Sequence, residues 1–423
     1  MDDLEINFQH ITKDKIQSSK KSKCLASMEV KEKIRVLRII NRFNIGGPTY
    51  NAVFLSRYLS DDFETLLVGG LPEEGESDSL HIAAEYNVKP LLIREMKREP
   101  SFSSDRQAYK RIQQIIEEFQ PHIVHTHAAK AGALGRRAAQ KMKVPIIVHT
   151  FHGHVFHSYF GKFKSTVFKY IERSLAKNST GIVAISDIQK QELSGIHRIC
   201  SPDKISVINL GFDLEKFHEN REEKRIRTRQ DFSIADDQVA VAIIGRLAPV
   251  KNHSMFLDVV ENVSRQTSKK VRFFIVGDGT ERMAIEQRIS SMQLSENIHV
   301  ELTSWIKDIS AFNPGMDIIC LTSLNEGTPV SLIEAQASGV AVVSTDVGGV
   351  RDILLEGETG FVTPLNDVEM FTEKLVELVE DEKKREKMSQ NGWNFVEAKF
   401  SYKTLVANME SYYRELLKST NKI

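Results

Sequence analysis

Glu326 and Glu334 stand with seven residues between them, in the stretch Glu326-Gly327-Thr328-Pro329-Val330-Ser331-Leu332-Ile333-Glu334. An apolar run, Asp317–Leu321, precedes them, and Thr328 and Pro329 are residue types that cap and open a helix. The spacing therefore predicts a strand-to-helix junction. At such a junction the free N–H groups of Thr328, Val330 and Ser331, with the positive end of the helix dipole, favour an anion. Two carboxylates beside an anion site make sense when the same ligand carries hydroxyls. Phosphate takes the amides, and sugar or ribose hydroxyls take carboxylate acceptors. An acidic helix start that only stabilises the dipole would explain Glu326 but says little about Glu334.

A second charged group follows the apolar run Val239–Ile244: Gly245-Arg246-Leu247-Ala248-Pro249-Val250-Lys251-Asn252. Gly245 lets a ligand approach the backbone. Arg246 and Lys251 bring two cations to one loop, and two cations on a diphosphate can replace a metal in stabilising leaving-group charge. The plainer alternative is a pair of solvated surface charges. Gly277-Asp278-Gly279 after Val271–Val276 is a common connector and adds little. Near the N-terminus, Asn44-Ile45-Gly46-Gly47-Pro48-Thr49 follows the first apolar run without the G-x-G-x-x-G spacing of a dinucleotide fingerprint.

Seven of the 13 histidines fall within residues 122–157: His122, His125, His127, His149, His152, His154 and His157. A metal site is the tempting reading. No carboxylate partner stands nearby, and His122 and His125 lie in an apolar strand, so hydrogen bonding to a polar ligand is the better expectation and no metal is assigned.

These residues need elements to position them. Apolar runs at Ile34–Ile40, Thr65–Val68, Pro90–Ile93, His122–His125, Pro145–His149 and Gly181–Ile185 alternate with helical patterns such as Arg106–Phe119 and Ala129–Lys141. A second series runs Val239–Ile244, Val271–Val276, Ile298–Leu302, Asp317–Leu321 and Val340–Ser344. Short β-branched runs between helices predict parallel sheets covered on both faces. The fold class is therefore α/β, with two doubly wound Rossmann-like domains facing a central cleft. The division expected is a flexible tail over 1–33, an N-terminal domain over 34–210, a charged linker over 211–235, a C-terminal domain over 236–398, and a helix over 399–423 returning to the N-terminal domain. Met28 immediately precedes the first patterned segment and is a candidate alternative start.

The chain has 423 residues, 57 Lys+Arg against 57 Asp+Glu, and 41% hydrophobic residues. Zero formal charge removes a global electrostatic case for nucleic acid, and the apolar content excludes wholesale disorder. Cys24, Cys200 and Cys320 lie far apart, which argues against a zinc knuckle or disulfide framework and for a reducing, cytoplasmic setting. No signal-peptide h-region and no apolar run long enough to span a bilayer is seen.

Glu326 and Glu334 together with Gly245-Arg246 and Lys251 resemble the retaining, nucleotide-sugar-dependent glycosyltransferases of family 4, whose fold is GT-B. Gly46-Gly47, Thr150-Phe151-His152-Gly153, Val207-Ile208-Asn209-Leu210-Gly211-Phe212-Asp213 and Gly357-Glu358-Thr359-Gly360-Phe361 extend the likeness over roughly residues 34–420. The run His125-Thr126-His127-Ala128-Ala129-Lys130-Ala131-Gly132-Ala133-Leu134-Gly135-Arg136 resembles a branch of bacterial surface-polysaccharide assembly. The resemblance implies a UDP-linked hexose or N-acetylhexosamine donor and no cofactor. Arg246 and Lys251 would bind the diphosphate, Glu334 the ribose, and Glu326 the donor sugar. Gly327 and Thr328, with Pro329 and Val330 behind them, would offer backbone contacts to phosphate and sugar. His152 would lie near the reaction centre, and Gly46-Gly47 would close beneath the phosphates. Asn252 stands where glycine is usual, Thr303-Ser304-Trp305 replaces a common glycine, and Arg351-Asp352 replaces a common Pro-Glu. Competing readings are another GT-B enzyme, such as a nucleotide-sugar epimerase, and a non-catalytic GT-B scaffold. The complete set of Glu326, Glu334, Arg246 and Lys251 disfavours both.

The acceptor implied by the branch is a polyprenyl-diphosphate-linked sugar or other glycan. Tyr159–Lys177 interleaves Tyr159, Phe160, Phe163, Val167, Phe168 and Ile171 with Lys162, Lys164, Lys169, Arg173 and Lys177. This basic amphipathic stretch fits peripheral contact with an anionic membrane at the inner face of the cell membrane; an ordinary domain helix with a solvated basic face is the alternative.

Overall fold

In the computed structural model, residues 32–43, 47–72, 79–97, 101–152 and 162–420 are described, those of 162–165 by backbone alone. Most of the expected tail, Gly46, His154, His157, and Tyr159 and Phe160 of the basic stretch lie outside them.

β-Branched and aliphatic runs pair into two all-parallel sheets. The first holds β1 (Ile34–Arg42), β2 (Phe63–Gly70), β3 (Leu91–Leu92), β4 (Ile123–His127), β5 (Ile146–Phe151), β6 (Gly181–Ala184) and β7 (Ile205–Val207), in the order β3-β2-β1-β4-β5-β6-β7. The second holds β8 (Gln238–Ile244), β9 (Lys270–Val276), β10 (Ile298–Leu302), β11 (Ile318–Leu321), β12 (Ala341–Thr345) and β13 (Gly360–Thr363), in the order β10-β9-β8-β11-β12-β13. Each order reverses direction once, between β1 and β4 and between β8 and β11. At these switch points the helices leave for opposite faces and a crevice opens beyond the strand ends.

Alternation along the strands gives each sheet two cores. In β8, Ala240, Ala242 and Ile244 pack with Phe274 and Leu332, while Val239, Val241 and Ile243 pack with Phe256 and Phe273. In the first sheet, Leu37, Ile39 and Val124 meet Ile112, and Val36, Ile123 and Val148 meet the opposite layer. Each fully buried aliphatic or aromatic side chain contributes about 1.5–3 kcal/mol, so these two-sided strands set the positions of the loops above them.

That opposite layer includes Leu405, Met409 and Tyr413 of the helix Tyr402–Ser419. The preceding helix, Glu382–Phe400, contributes Val396 and Phe400 to the second sheet's core. The chain thus crosses between halves twice, and the crossings touch: Phe212 N–H donates to Phe400 O at 2.8 Å and Tyr402 N–H to Phe212 O at 2.9 Å.

Residues 211–235, expected as a linker, are folded. Phe212, Leu214 and Phe217 are buried in the second sheet's core. On the helix Arg221–Asp231, Arg225 and Arg229 lie one turn apart and both bind Asp317, at 2.7 and 3.3 Å. Asp317 also accepts Ala240 N–H at 2.7 Å. Two of the charges of that expected linker anchor this helix to Asp317, at the start of β11. Two strands were not expected: β7, only three residues long, and β13, which opens on glycine.

Candidate active site

The second switch point lies between the ends of β8 and β11. After β8 the chain passes Gly245, the exposed Arg246 and a 3-10 turn, Pro249–Lys251, before the helix His253–Gln266. Arg246 makes no ion pair among the described residues, so its guanidinium is open to an incoming anion. The loop is seated by Leu247 N–H donating to Asp278 O at 2.9 Å. Gly277 has φ +146°, and a Cβ there would lie 2.0 Å from Gly245 O, so the connector that looked uninformative is what lets the two strand ends touch.

Lys251 folds back over Gly245 and places Nζ 2.6 Å from Glu326 Oε1. Ser323 Oγ donates to the same carboxylate oxygen at 2.6 Å. Thr322 Oγ1, immediately after β11, donates to Lys251 O and Asn252 O, each at 3.1 Å. A cation and a carboxylate are thereby locked together. Asn252 has φ +51°, a left-handed conformation, which gives the physical reason that glycine suits this position and that asparagine serves in its place.

Behind Glu326, Gly348 has φ +52°, and a Cβ would fall 1.7 Å from Glu326 O; Gly349 N–H donates to Gly327 O at 2.9 Å. Gly327 itself faces open space, with nothing within 4 Å of a Cβ built on it. The helix begins at Val330, with Pro329 in the capping position and no side-chain cap. The expected Thr328 cap is therefore displaced by one residue, because Pro329 adopts extended rather than helical backbone.

Glu334 lies one turn into this helix. Burial pushes its carboxyl up to about 7, against the opposing pull of Lys216. It also faces the other half of the molecule: the Tyr50 hydroxyl is raised by burial first, then by Glu85 and Glu334. Tyr50 belongs to the helix Gly47–Arg57, which opens the first switch point. Gly47 there has room, since a Cβ would meet only Leu210 Cδ1, at 3.8 Å.

His152 follows β5 beside that switch point. Its Nε2 lies 2.7 Å from His127 Nδ1, and its Nδ1, although buried, has no partner among the described residues. Burial alone lowers its imidazole to about 4. Among the described residues, no group of three or more His, Cys, Asp or Glu side chains is arranged to hold a metal, and no helix is long and apolar enough to cross a membrane.

The structure thus brings Gly245, Arg246, Lys251, Glu326, Gly327 and Thr328 to one switch point and Gly47 and His152 to the other, with Tyr50 and Glu334 between the halves. Sequence reasoning missed Lys216, Tyr50, Ser323 and Gly348. Tyr50 stands one helical turn after Gly47, which is a usable signal. Lys216 lies in a charged stretch with nothing to mark it.

Known proteins resemble this chain in sequence and fold. The family model described as Glycosyltransferase Family 4 matches residues 45–216, and that described as Glycosyl transferases group 1 matches residues 224–395. An Escherichia coli UDP-Gal:alpha-D-GlcNAc-diphosphoundecaprenol alpha-1,3-galactosyltransferase is 29% identical over 347 residues, covering 81% of this chain and 88% of that protein. The capsular polysaccharide biosynthesis glycosyltransferase CapM of Staphylococcus aureus is 28% identical over 343 residues, covering 79% and 88%. The crystal structure of Anabaena HepE in complex with UDP superposes with a TM-score of 0.75 at 18% identity, covering 90% of this chain and 100% of that one. The chain belongs to the family 4 glycosyltransferases and has their GT-B fold.

Proposed function

We propose that this glycosyltransferase retains anomeric configuration and moves a hexosyl or N-acetylhexosaminyl group from a UDP-linked donor to a polyprenyl-diphosphate-linked or other glycan acceptor in bacterial surface-polysaccharide synthesis. The observation that carries the reading is the Lys251–Glu326 pair, 2.6 Å apart, with the unpaired Arg246 on the same loop. One ligand that needs both a cation and a carboxylate at that point is a sugar diphosphate. The Escherichia coli relative is named for a UDP-sugar and a diphosphoundecaprenol-linked acceptor, and HepE binds UDP, which supports this choice.

In this reading Arg246, Lys251 and the amides of Thr328 and Val330 take the diphosphate, Glu334 the ribose and Glu326 a sugar hydroxyl. As the bond from C1 to the phosphate oxygen breaks, these groups stabilise the developing charge without a metal. The acceptor oxygen forms its bond to C1 on the same face, and its proton passes to the departing phosphate oxygen. Both glutamates are engaged with hydroxyls, so neither is the nucleophile of a two-carboxylate mechanism.

The helix Lys162–Asn178 exposes Val167 and Tyr170. Together with its lysines this supports work at an anionic membrane face. Co-sedimentation with anionic vesicles that weakens with salt is expected; wild-type protein left in the supernatant at low salt removes the membrane part alone. The decisive experiment incubates the protein with UDP-sugars and a lipid-linked GlcNAc-diphosphate, with and without EDTA, and reads the product anomer by NMR. Acceptor-dependent UDP release with retained configuration in EDTA is expected. Donor isomerisation without an acceptor, or no turnover of any donor, overturns the reading.

A further inference from the structure

The most enclosed polar cluster of the first sheet centres on Arg38, midway along β1 and fully buried. Among the described residues no carboxylate lies within ion-pair distance of it. Its guanidinium donates from Nε to Ser56 Oγ at 3.3 Å and from Nη2 to Leu55 O at 3.3 Å. Nη1 donates to Tyr413 OH at 3.1 Å and lies 3.0 Å from His125 Nδ1 and 3.5 Å from His127 Nε2.

A guanidinium has donors only, so each histidine nitrogen that meets it must offer a lone pair. His125 therefore carries its proton on Nε2, where it donates to Thr150 Oγ1 at 2.7 Å. By the same rule His127 carries its proton on Nδ1 and donates to His152 Nε2 at 2.7 Å. The His152 proton is then left on Nδ1, the buried nitrogen with no partner among the described residues. Such a donor costs stability unless a ligand takes it up.

We propose that Arg38 is a positioning residue that acts through His127 to hold His152 as its Nδ1–H tautomer, so that His152 presents a neutral hydrogen-bond donor, and not a base, to an oxygen of the bound donor sugar or acceptor. The proposal rests on the glycosyltransferase reading for its ligand, but the tautomer belongs to the resting protein.

The surroundings agree. The charged and titratable groups facing these rings are Arg38, His125, His149, Tyr413 and Arg136, the last paired with Glu172 at 2.6 Å, and no carboxylate faces the rings directly. Burial, followed by the field of Arg38, holds His125 well below its ordinary value; burial and the neighbouring histidines and Arg38 do the same for His127. No imidazolium is sustained there at neutral pH. Tyr413 reaches this cluster from the C-terminal helix, accepting from Arg38 and donating to His125 Nδ1 at 2.5 Å. The helix that returns across the molecule therefore completes the relay.

The test uses the full chain with isotope-labelled histidine and two-bond proton–nitrogen correlation spectra at neutral pH, the His152 signals being those lost in His152→Gln. The wild type should show His152 protonated at Nδ1. Arg38→Lys should keep that pattern, while Arg38→Met and His127→Phe should move the proton to Nε2. His127→Gln, whose amide still donates, should restore it. In turnover with a UDP-sugar, His127→Phe should lower kcat about ten-fold, with KM changed by less than about two-fold, and His127→Gln should recover most of it. A wild-type His152 protonated at Nε2, or doubly protonated, overturns the proposal. So does a folded His127→Phe that keeps both the tautomer and kcat. The wild-type spectrum decides even where a variant fails to fold. Absence of nucleotide-sugar turnover in the wild type refutes the glycosyltransferase reading instead, because the spectrum is read without a ligand.

Discussion

Lys251 Nζ and Glu326 Oε1 lie 2.6 Å apart although the two residues are 75 positions apart in the chain. The contact couples a residue assigned to phosphate with one assigned to a sugar hydroxyl. Lys251→Ala should lower kcat/KM about ten- to a hundred-fold, the value of a lost charge-assisted hydrogen bond of about 1.5–3 kcal/mol. Because the partners touch, the double variant Lys251→Ala/Glu326→Ala should cost less than the sum of the singles, measured as a double-mutant cycle on kcat/KM. Arg246→Ala should produce a comparable loss with an unchanged melting temperature, since Arg246 is exposed and unpaired.

Glu334 gives a pH signature. Its carboxyl is raised from 4.5 to about 7, so the folded state holds a proton that the unfolded chain releases earlier. Its contribution to stability is complete below about 4.5 and is lost as pH rises to about 7. The ligand-free protein should therefore lose melting temperature across that window, and Glu334→Gln should flatten the curve. UDP affinity should rise over the same interval, because a ribose hydroxyl needs the ionised acceptor. Lys216→Met should move the transition upward, since Lys216 is the cation that opposes the shift. Thermal shift with and without UDP reads all three.

Two glycines separate space for the ligand from space for the fold. Gly327→Ala places a methyl in open space, so the melting temperature should hold while donor affinity falls about ten-fold, the cost of roughly one displaced contact. Gly348→Ala meets Glu326 O at 1.7 Å from a backbone at φ +52°, so it should lower both melting temperature and kcat. Equal effects of the two substitutions would contradict this division.

Asn252 tests the left-handed turn. With φ +51°, Asn252→Gly should change stability by no more than a few tenths of a kcal/mol, whereas Asn252→Val should cost about 1–2 kcal/mol in urea unfolding.

Much of the fold was legible because a fully buried parallel strand is a local pattern. The run Val239–Ile244 has nothing polar to offer a solvated face and Val271–Val276 has only Arg272, and they lie in β8 and β9. The three-residue β7 and glycine-led β13 carry too little of that pattern to be read, since their pairing comes from neighbours already in place. The helix within the expected linker, 211–235, was not read for the complementary reason: charge density does not reveal that Arg225 and Arg229 converge on Asp317.

The same boundary runs through the site. Sequence alone determined which residue types follow each strand, and hence that cations, carboxylates and free amides would gather at sheet ends. Tertiary structure decided which of them meet: Lys251 touches Glu326, Arg38 lies against His125, His127 and Tyr413, and Tyr50 falls within the field of Glu334. Strand order and register bring these residues together from positions as far apart as 375 in the chain. Periodicity reports which face a side chain occupies; only packing of the whole chain reports what stands opposite it.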